Sequence, residues 1–180
     1  MKVSQFSFNR LAKADNRLGV EMLSTGEVAC FGQNYQEAYL KGLVATGFQV
    51  KNRCPVLVSI GSLTDKKEFC YSIRQLVANG FTLFGTIGTA KYYSDLNINI
   101  NISSVENEVI YQNIKDGVYG LVINISVPNK IRTLEKTNGY YMRRLSIDYG
   151  VAVIINIKCA KLYVDSIISC YDASLLVGDS

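Results

Sequence analysis

Between residues 85 and 90 the chain reads Gly-Thr-Ile-Gly-Thr-Ala, and these residue types at this spacing suit anion binding. Gly85 and Gly88 let backbone approach a ligand closely, and Thr86 and Thr89 bring hydroxyl groups. A helix beginning here adds the unpaired N–H groups of its first turn. Phosphate or carboxylate is the natural guest. The spacing matches neither the Walker phosphate loop nor the dinucleotide fingerprint. For the loop alone, an ordinary turn with Thr89 as helix N-cap is the simpler account. A second feature narrows the chemistry further: histidine is absent from all 180 residues. That removes Ser-His-Asp and Cys-His nucleophile systems, histidine-ligated metals and the commonest general acid–base, so binding gains ground over catalysis.

These residues need a scaffold, and the composition supplies one. A hydrophobic content of 48%, a charged content of 19% and only 2 prolines describe a chain that builds a core. The net charge of +4 is mild, and its basic residues are scattered, which gives no argument for nucleic acid. No apolar run reaches the roughly 18 residues of a membrane span, and Met1–Phe6 lacks the apolar stretch of a signal peptide. The 5 cysteines, Cys30, Cys54, Cys70, Cys159 and Cys170, include no Cys-x-x-Cys pair and read as free thiols rather than a disulfide framework or zinc site. The expectation is a cytoplasmic chain that binds neither nucleic acid nor membrane.

From Pro55 onward, short apolar strands alternate with helical segments. Val56–Ile60 is an almost unbroken apolar run that suits a buried parallel strand. A helix follows, capped by Thr64 or Asp65 and ended by Gly80, with Phe69, Ile73, Leu76 and Val77 inward. The second strand is Phe81–Phe84, feeding the threonine loop and a helix from Ala90. Ile98, Ile100 and Ile102 alternate with asparagines, as in a strand near an edge. A helix at 106–116 stops at Gly117; Leu121–Ile125 is the fourth strand; a helix at Tyr140–Tyr149 stops at Gly150. Val151–Ile155 is the fifth strand and Lys158–Ile168 the last helix, before a frayed tail at 172–180. Upstream lie a Gly-rich block at 18–28, a helix at Tyr35–Ala45 stopped by Gly47, and a polar linker at 51–53.

Strands separated by helices and joined by right-handed crossovers predict an α/β fold with a doubly wound, five-stranded parallel sheet. In such sheets ligands sit outside the carboxyl ends of the strands, where the strand order reverses. Those ends carry Ser59 and Ser62, Thr86 and Thr89, and Asn124 and Ser126, with Lys66 one turn into the first helix. Each alone is an ordinary capping or turn residue; converging on one edge, they form a candidate site.

A resemblance enters through other residues. Gln5–Leu11 with Ala14-Asp15, Leu18–Met22, Ser24–Gly32, Glu37–Lys41, Ser59–Ser62, Gly139-Tyr140, Arg143-Arg144 and Ile157–Leu162 resemble the synthetase component of eukaryotic carbamoyl phosphate synthetases. The resemblance implies that residues 1–53 are the end of the second ATP-grasp unit. It implies that residues 54–180 are a methylglyoxal-synthase-like, flavodoxin-like regulatory domain. It further implies effector contacts at Ser59, Lys66, Thr86, Gly88, Thr89, Asn124 and Ser126, no metal or catalytic residue here, and ATP and Mg ligands only upstream in the parent enzyme. Arg10, Glu21 and Glu27 are then structural, and a likeness that starts at residue 2 implies a piece of a longer protein. The implied partners are a phosphorylated small-molecule effector, the remaining synthetase domains and a glutamine amidotransferase part, with homo-oligomers open.

Three functions follow from the resemblance. The first is an effector-binding module of a glutamine-hydrolysing synthetase of pyrimidine biosynthesis, responding to UTP, UMP or phosphoribosyl pyrophosphate, or, in an arginine or urea pathway parent, to N-acetylglutamate. The second is a docking or oligomerisation domain with an unused cleft. The third, methylglyoxal synthase activity, is disfavoured because the family's aspartate falls near Asn107, an amide, and histidine is missing. Departures from the relatives are the absent tryptophan, a short stretch at 102–107 without a basic residue and a short loop at 127–137. Lys130, Arg132, Arg143 and Arg144 compensate if that loop folds inward; otherwise they are solvated charge, with Arg143 and Arg144 as anchors to a neighbouring domain.

Overall fold

In the computed structural model, which describes residues 1–5, 26–51, 53–127 and 137–170, Lys2–Gln5 (β1) pairs antiparallel with Gly26–Ala29 (β2). Arg10, Glu21, Lys130, Arg132, the start of the Gly-rich block and the tail lie outside the described residues. Tyr35–Ala45 (α1) follows, with the Asn34 side chain accepting from Glu37 N as N-cap.

The parallel sheet is built from Val56–Ile60 (β3), Leu83–Gly85 (β4), Asn101–Ile102 (β5), Leu121–Ile125 (β6) and Ala152–Ile154 (β7), in the order β5-β4-β3-β6-β7. The near-continuous apolar character of β3 and β6 follows from burial on both faces. Val56, Val58 and Ile60 join Leu121, Ile123 and Ile125 in one core, while Leu57 and Val122 face a second with Ile110, Ile114 and Met142. The first core is covered by Cys70–Ala78 (α3), Ile87–Ser94 (α4) and Ile157–Ser169 (α7), the second by Asn107–Lys115 (α5) and Asn138–Asp148 (α6). Opposite coverage is what right-handed crossovers demand when consecutive strands run first one way and then the other from the centre.

Several boundaries differ from expectation. The helix expected to run to Gly80 is two: Leu63–Glu68 (α2) and α3, meeting at Phe69, which is fully buried and anchors the bend. Ser62, rather than Thr64 or Asp65, caps α2. Its Oγ accepts from Asp65 N at 2.9 Å and donates to Asp65 Oδ2 at 2.6 Å, so one serine both caps the helix and holds its first carboxylate. β5 is an edge strand as its alternation predicts, yet only Asn101–Ile102 pair; Ile98 and Ile100 reach the core from the approach to it. Gly80 and Gly117 stop α3 and α5 at φ of 80° and 68°, where a side chain would be strained.

The core also takes in residues upstream of position 54. Tyr39 and Leu40 of α1 belong to the same buried cluster as β3, and Phe48 packs on Tyr163 of α7 with ring centroids 5.7 Å apart. The Tyr39 hydroxyl donates to the Cys159 carbonyl at 3.4 Å, tying α1 to the first turn of α7.

Candidate functional site

The strand order reverses between β3 and β6, so the crevice of this sheet lies beyond Ile60 and Ile125. The carboxyl ends of these two strands are pressed together there. Gly61 N donates to the Ile125 carbonyl at 2.9 Å, and a Cβ added to Gly61 would lie 2.9 Å from Val127 Cγ2. On either side of this contact sits a polar neighbourhood.

The first is the threonine loop. Helix α4 begins at Ile87, not Ala90, so Thr86 occupies the N-cap position and Thr89 lies within the first turn. Thr89 is 1% exposed, and its hydroxyl is engaged on every side. It accepts from Ile60 N at 3.0 Å and from Thr86 Oγ1 at 3.2 Å, and donates to the Ile60 carbonyl at 3.3 Å. Thr89 therefore bolts α4 to the end of β3 as a β-ladder would. Gly85 serves packing as well: a Cβ there would come within 2.9 Å of Ala90 N. The cation of this neighbourhood is Lys66, whose Nζ donates to the Gly88 carbonyl at 2.7 Å and lies 5.8 Å from the Tyr92 ring centroid. Partial burial lowers its pKa from the ordinary lysine value.

The second neighbourhood lies at the end of β6. Asn124 and Arg143 are each 2% exposed. Arg143 Nη1 donates to Asn124 Oδ1 at 3.1 Å and to Ser126 Oγ at 2.7 Å, and Ser126 Oγ donates to Asn124 Oδ1 at 3.4 Å. Gly139, one turn before Arg143 on α6, makes room for this: a Cβ there would stand 3.2 Å from Nη1 and 3.4 Å from Asn124 Oδ1. Asn124 Nδ2 is buried and has no hydrogen-bond partner among the described residues. A buried amide donor left unmade costs about 1–3 kcal/mol, which a ligand acceptor would recover. Asn124 lines a cleft of about 240 Å³ together with Asp65, Ile125, Ser126, Ile155, Asn156 and Ile157. Asn156 caps α7, accepting from Lys158 N at 2.9 Å and Cys159 N at 3.2 Å. The residues lining the cleft thus include an amide, a carboxylate and apolar isoleucines. That set suits a ring edge or sugar, while full negative charge is better served beside Lys66 and the first turn of α4.

Of the expected contact residues, the structure joins Lys66 to Gly88, Thr86 to Thr89 and Asn124 to Ser126, and it sets Ser59 beside Asn124 in the β3–β6 register. Only Asn124 and Ser126 of that set line the cleft. Arg143 is neither solvated charge nor a surface anchor; it is buried against the site residues. The Gly139-x-x-x-Arg143 spacing, which puts both on one side of α6, is the sequence signal that marks it. Asp65, bonded to Ser62 in the first turn of α2, and Asn156, the N-cap of α7, are the other additions. Among the described residues there is no group of His, Cys, Asp or Glu that could hold a metal, and no helix long and apolar enough to cross a membrane. The thiols of Cys54 and Cys159 are pushed up by burial and stay protonated at neutral pH.

Residues 68–155 match the MGS-like domain family. This α/β unit is an MGS-like domain. Its sheet begins upstream of the matched stretch, at Val56. The chain is 47% identical over 174 residues to the multifunctional protein pyr1-3 of Dictyostelium discoideum, covering 93% of this chain and 8% of that protein. It is 42% identical over 196 residues to the multifunctional protein CAD of Squalus acanthias, covering 100% of this chain and 8% of that protein. Identity to the mitochondrial carbamoyl-phosphate synthase (ammonia) of Rattus norvegicus is 33% over 180 residues, 93% of this chain and 11% of that protein. The MGS-like domain and its flanking residues therefore span about a tenth of the length of the curated relatives they match.

Proposed function

We propose that this chain is the regulatory part of a glutamine-hydrolysing carbamoyl phosphate synthetase of pyrimidine biosynthesis, binding a phosphorylated effector such as UTP, UMP or phosphoribosyl pyrophosphate. One observation carries the reading: a buried amide donor, Asn124 Nδ2, without a partner among the described residues, in the wall of a cleft at the switch point of the sheet. Lys66 and the first turn of α4 supply the positive end for a phosphoryl group, with Thr86 at the N-cap of that turn and Thr89 holding it in place, while Ser59 lies beside Asn124. The effector acts through differential affinity for two states of the parent enzyme, not through chemistry at this site. The route outward runs through α7, whose N-terminus lines the cleft and whose first turn is bonded to Tyr39 of α1. The setting of the reading is cytoplasmic, beside ATP-grasp and glutamine amidotransferase domains, with residues 1–53 as the end of the ATP-grasp unit.

The test is calorimetric titration of the full 180-residue chain with UTP, UMP, phosphoribosyl pyrophosphate and N-acetylglutamate. Saturable binding of a phosphorylated ligand is the expected result. N-acetylglutamate alone would shift the reading to an arginine or urea pathway parent, and no binding at all would leave a docking domain.

A further inference from the structure

Arginine carries only hydrogen-bond donors, whereas an asparagine side chain offers an acceptor at one end and a donor at the other. Whichever end of the Asn124 amide meets Arg143 must therefore be oxygen. Ser126 enforces the same choice: its Oγ accepts from Arg143, so its own proton is free to go to Asn124 Oδ1. The polarity runs one way, from guanidinium to hydroxyl and amide oxygen, and it leaves the NH2 of Asn124, a residue that lines the cleft, buried and without a partner among the described residues. Both residues are 2% exposed, and turning the amide over would set its NH2 against the Arg143 guanidinium, donor against donor.

We infer that Arg143 is a positioning residue that fixes the Asn124 amide as a donor and so makes the cleft select a ligand atom that only accepts, a carbonyl, phosphoryl or ether oxygen. An amino group placed at the same point meets hydrogen against hydrogen and is rejected. Asp65 also lines the cleft, and its carboxylate can only accept, so the lining includes a partner for a ligand's donor as well. This rests on the effector-site reading above and adds to it the polarity of recognition and the residue that sets it.

The experiment compares wild type, Asn124→Asp, Arg143→Lys and Arg143→Met in the full chain. Each is titrated with UMP, UTP and phosphoribosyl pyrophosphate and unfolded in urea. Asn124→Asp is the decisive variant. A carboxylate turns one oxygen to Arg143 as an ion pair and the other to the cleft, so stability is expected to hold or rise while affinity falls at least roughly tenfold. A merely structural asparagine would not split the two readouts. Arg143→Lys keeps a donor-only partner and should bind within about threefold of wild type, whereas Arg143→Met frees the amide to turn over and should weaken binding roughly tenfold. Folded Asn124→Asp that binds as wild type overturns the inference even if Arg143→Met fails to fold. Loss of binding in Asn124→Asp with undiminished binding in Arg143→Met removes Arg143 from the role and leaves the effector site standing. If wild type binds none of the three ligands, the effector-site reading falls and the inference falls with it.

Discussion

The Thr86–Thr89 turn and the Asn124–Arg143 corner are the two polar regions flanking the contact between the ends of β3 and β6, and they use similar residues in opposite ways. In the turn, Thr89 satisfies both backbone groups of Ile60 and the Thr86 hydroxyl, so a motif that reads as a ligand cradle is also a piece of internal framework. In the corner, a guanidinium holds one end of an amide, and the other end is left with its hydrogens unmatched among the described residues. A hydroxyl near a strand end is easily absorbed by local backbone, because it rotates to suit. A planar amide clamped at one side cannot rotate, and its free donor persists. The group to look for at a binding site is thus the polar atom whose neighbours cannot satisfy it.

The comparison breaks most visibly at Thr89. Thr89→Val keeps the shape and removes the hydroxyl, leaving the buried Ile60 N–H without its acceptor; urea unfolding is expected to show a loss of about 1–3 kcal/mol. Wild-type stability would mean the turn is not framework after all. Next in size is Lys66→Met, which removes the cation beside Gly88. Affinity for UMP or phosphoribosyl pyrophosphate is expected to drop roughly tenfold, or about 1.4 kcal/mol, by calorimetry, with little change in the unfolding midpoint because the group is partly exposed. An unchanged affinity would move the anion elsewhere.

The pH dependence sharpens the same point. Burial lowers the Lys66 pKa below 10.5, so its charge is lost at lower pH than that of an ordinary lysine. Anion affinity should therefore begin to fall below pH 10.5, and Lys66→Met should flatten that limb. For stability the sign is opposite. With the folded-state pKa below the unfolded one, this lysine favours the folded state increasingly as pH rises from the first value to the second. The smallest effect is expected at Ser166, fully buried in α7, whose hydroxyl also lacks a partner among the described residues but lies in the packed core rather than in a cleft. Ser166→Ala should be neutral or stabilising by under about 1 kcal/mol in a thermal or urea melt. A marked loss would show that an unpaired group in the core is no guide to anything.

Much of the architecture was legible because two periodicities are hard to mistake. The apolar runs at 56–60 and 121–125, broken only by Ser59 and Asn124, read as strands covered on both faces, and the glycines at 80, 117 and 150 punctuate the helices between. The break at Phe69 was not legible, since Phe69 and Ile73 keep helical spacing across it. The start of α4 was misplaced for a related reason: Thr86 and Thr89 are equally good caps on paper, and packing against Ile60 decides between them. Helix α1 reads upstream of a polar linker, yet its Tyr39 and Leu40 complete the core under α7, a long-range contact with no local signature.

Chain order, strand and helix type, the absence of histidine chemistry and the polar strand ends all follow from residue identity and spacing, because side-chain period and backbone capping are local properties. Which of those polar groups remain open to a ligand is a different kind of fact. The burial of Arg143, the polarity it imposes on Asn124 and the enclosure of Thr89 exist only once β3, β6, α4 and α6 have been brought within hydrogen-bonding distance. Hydrogen-bond satisfaction is settled between segments far apart in the chain, and only the folded packing decides it.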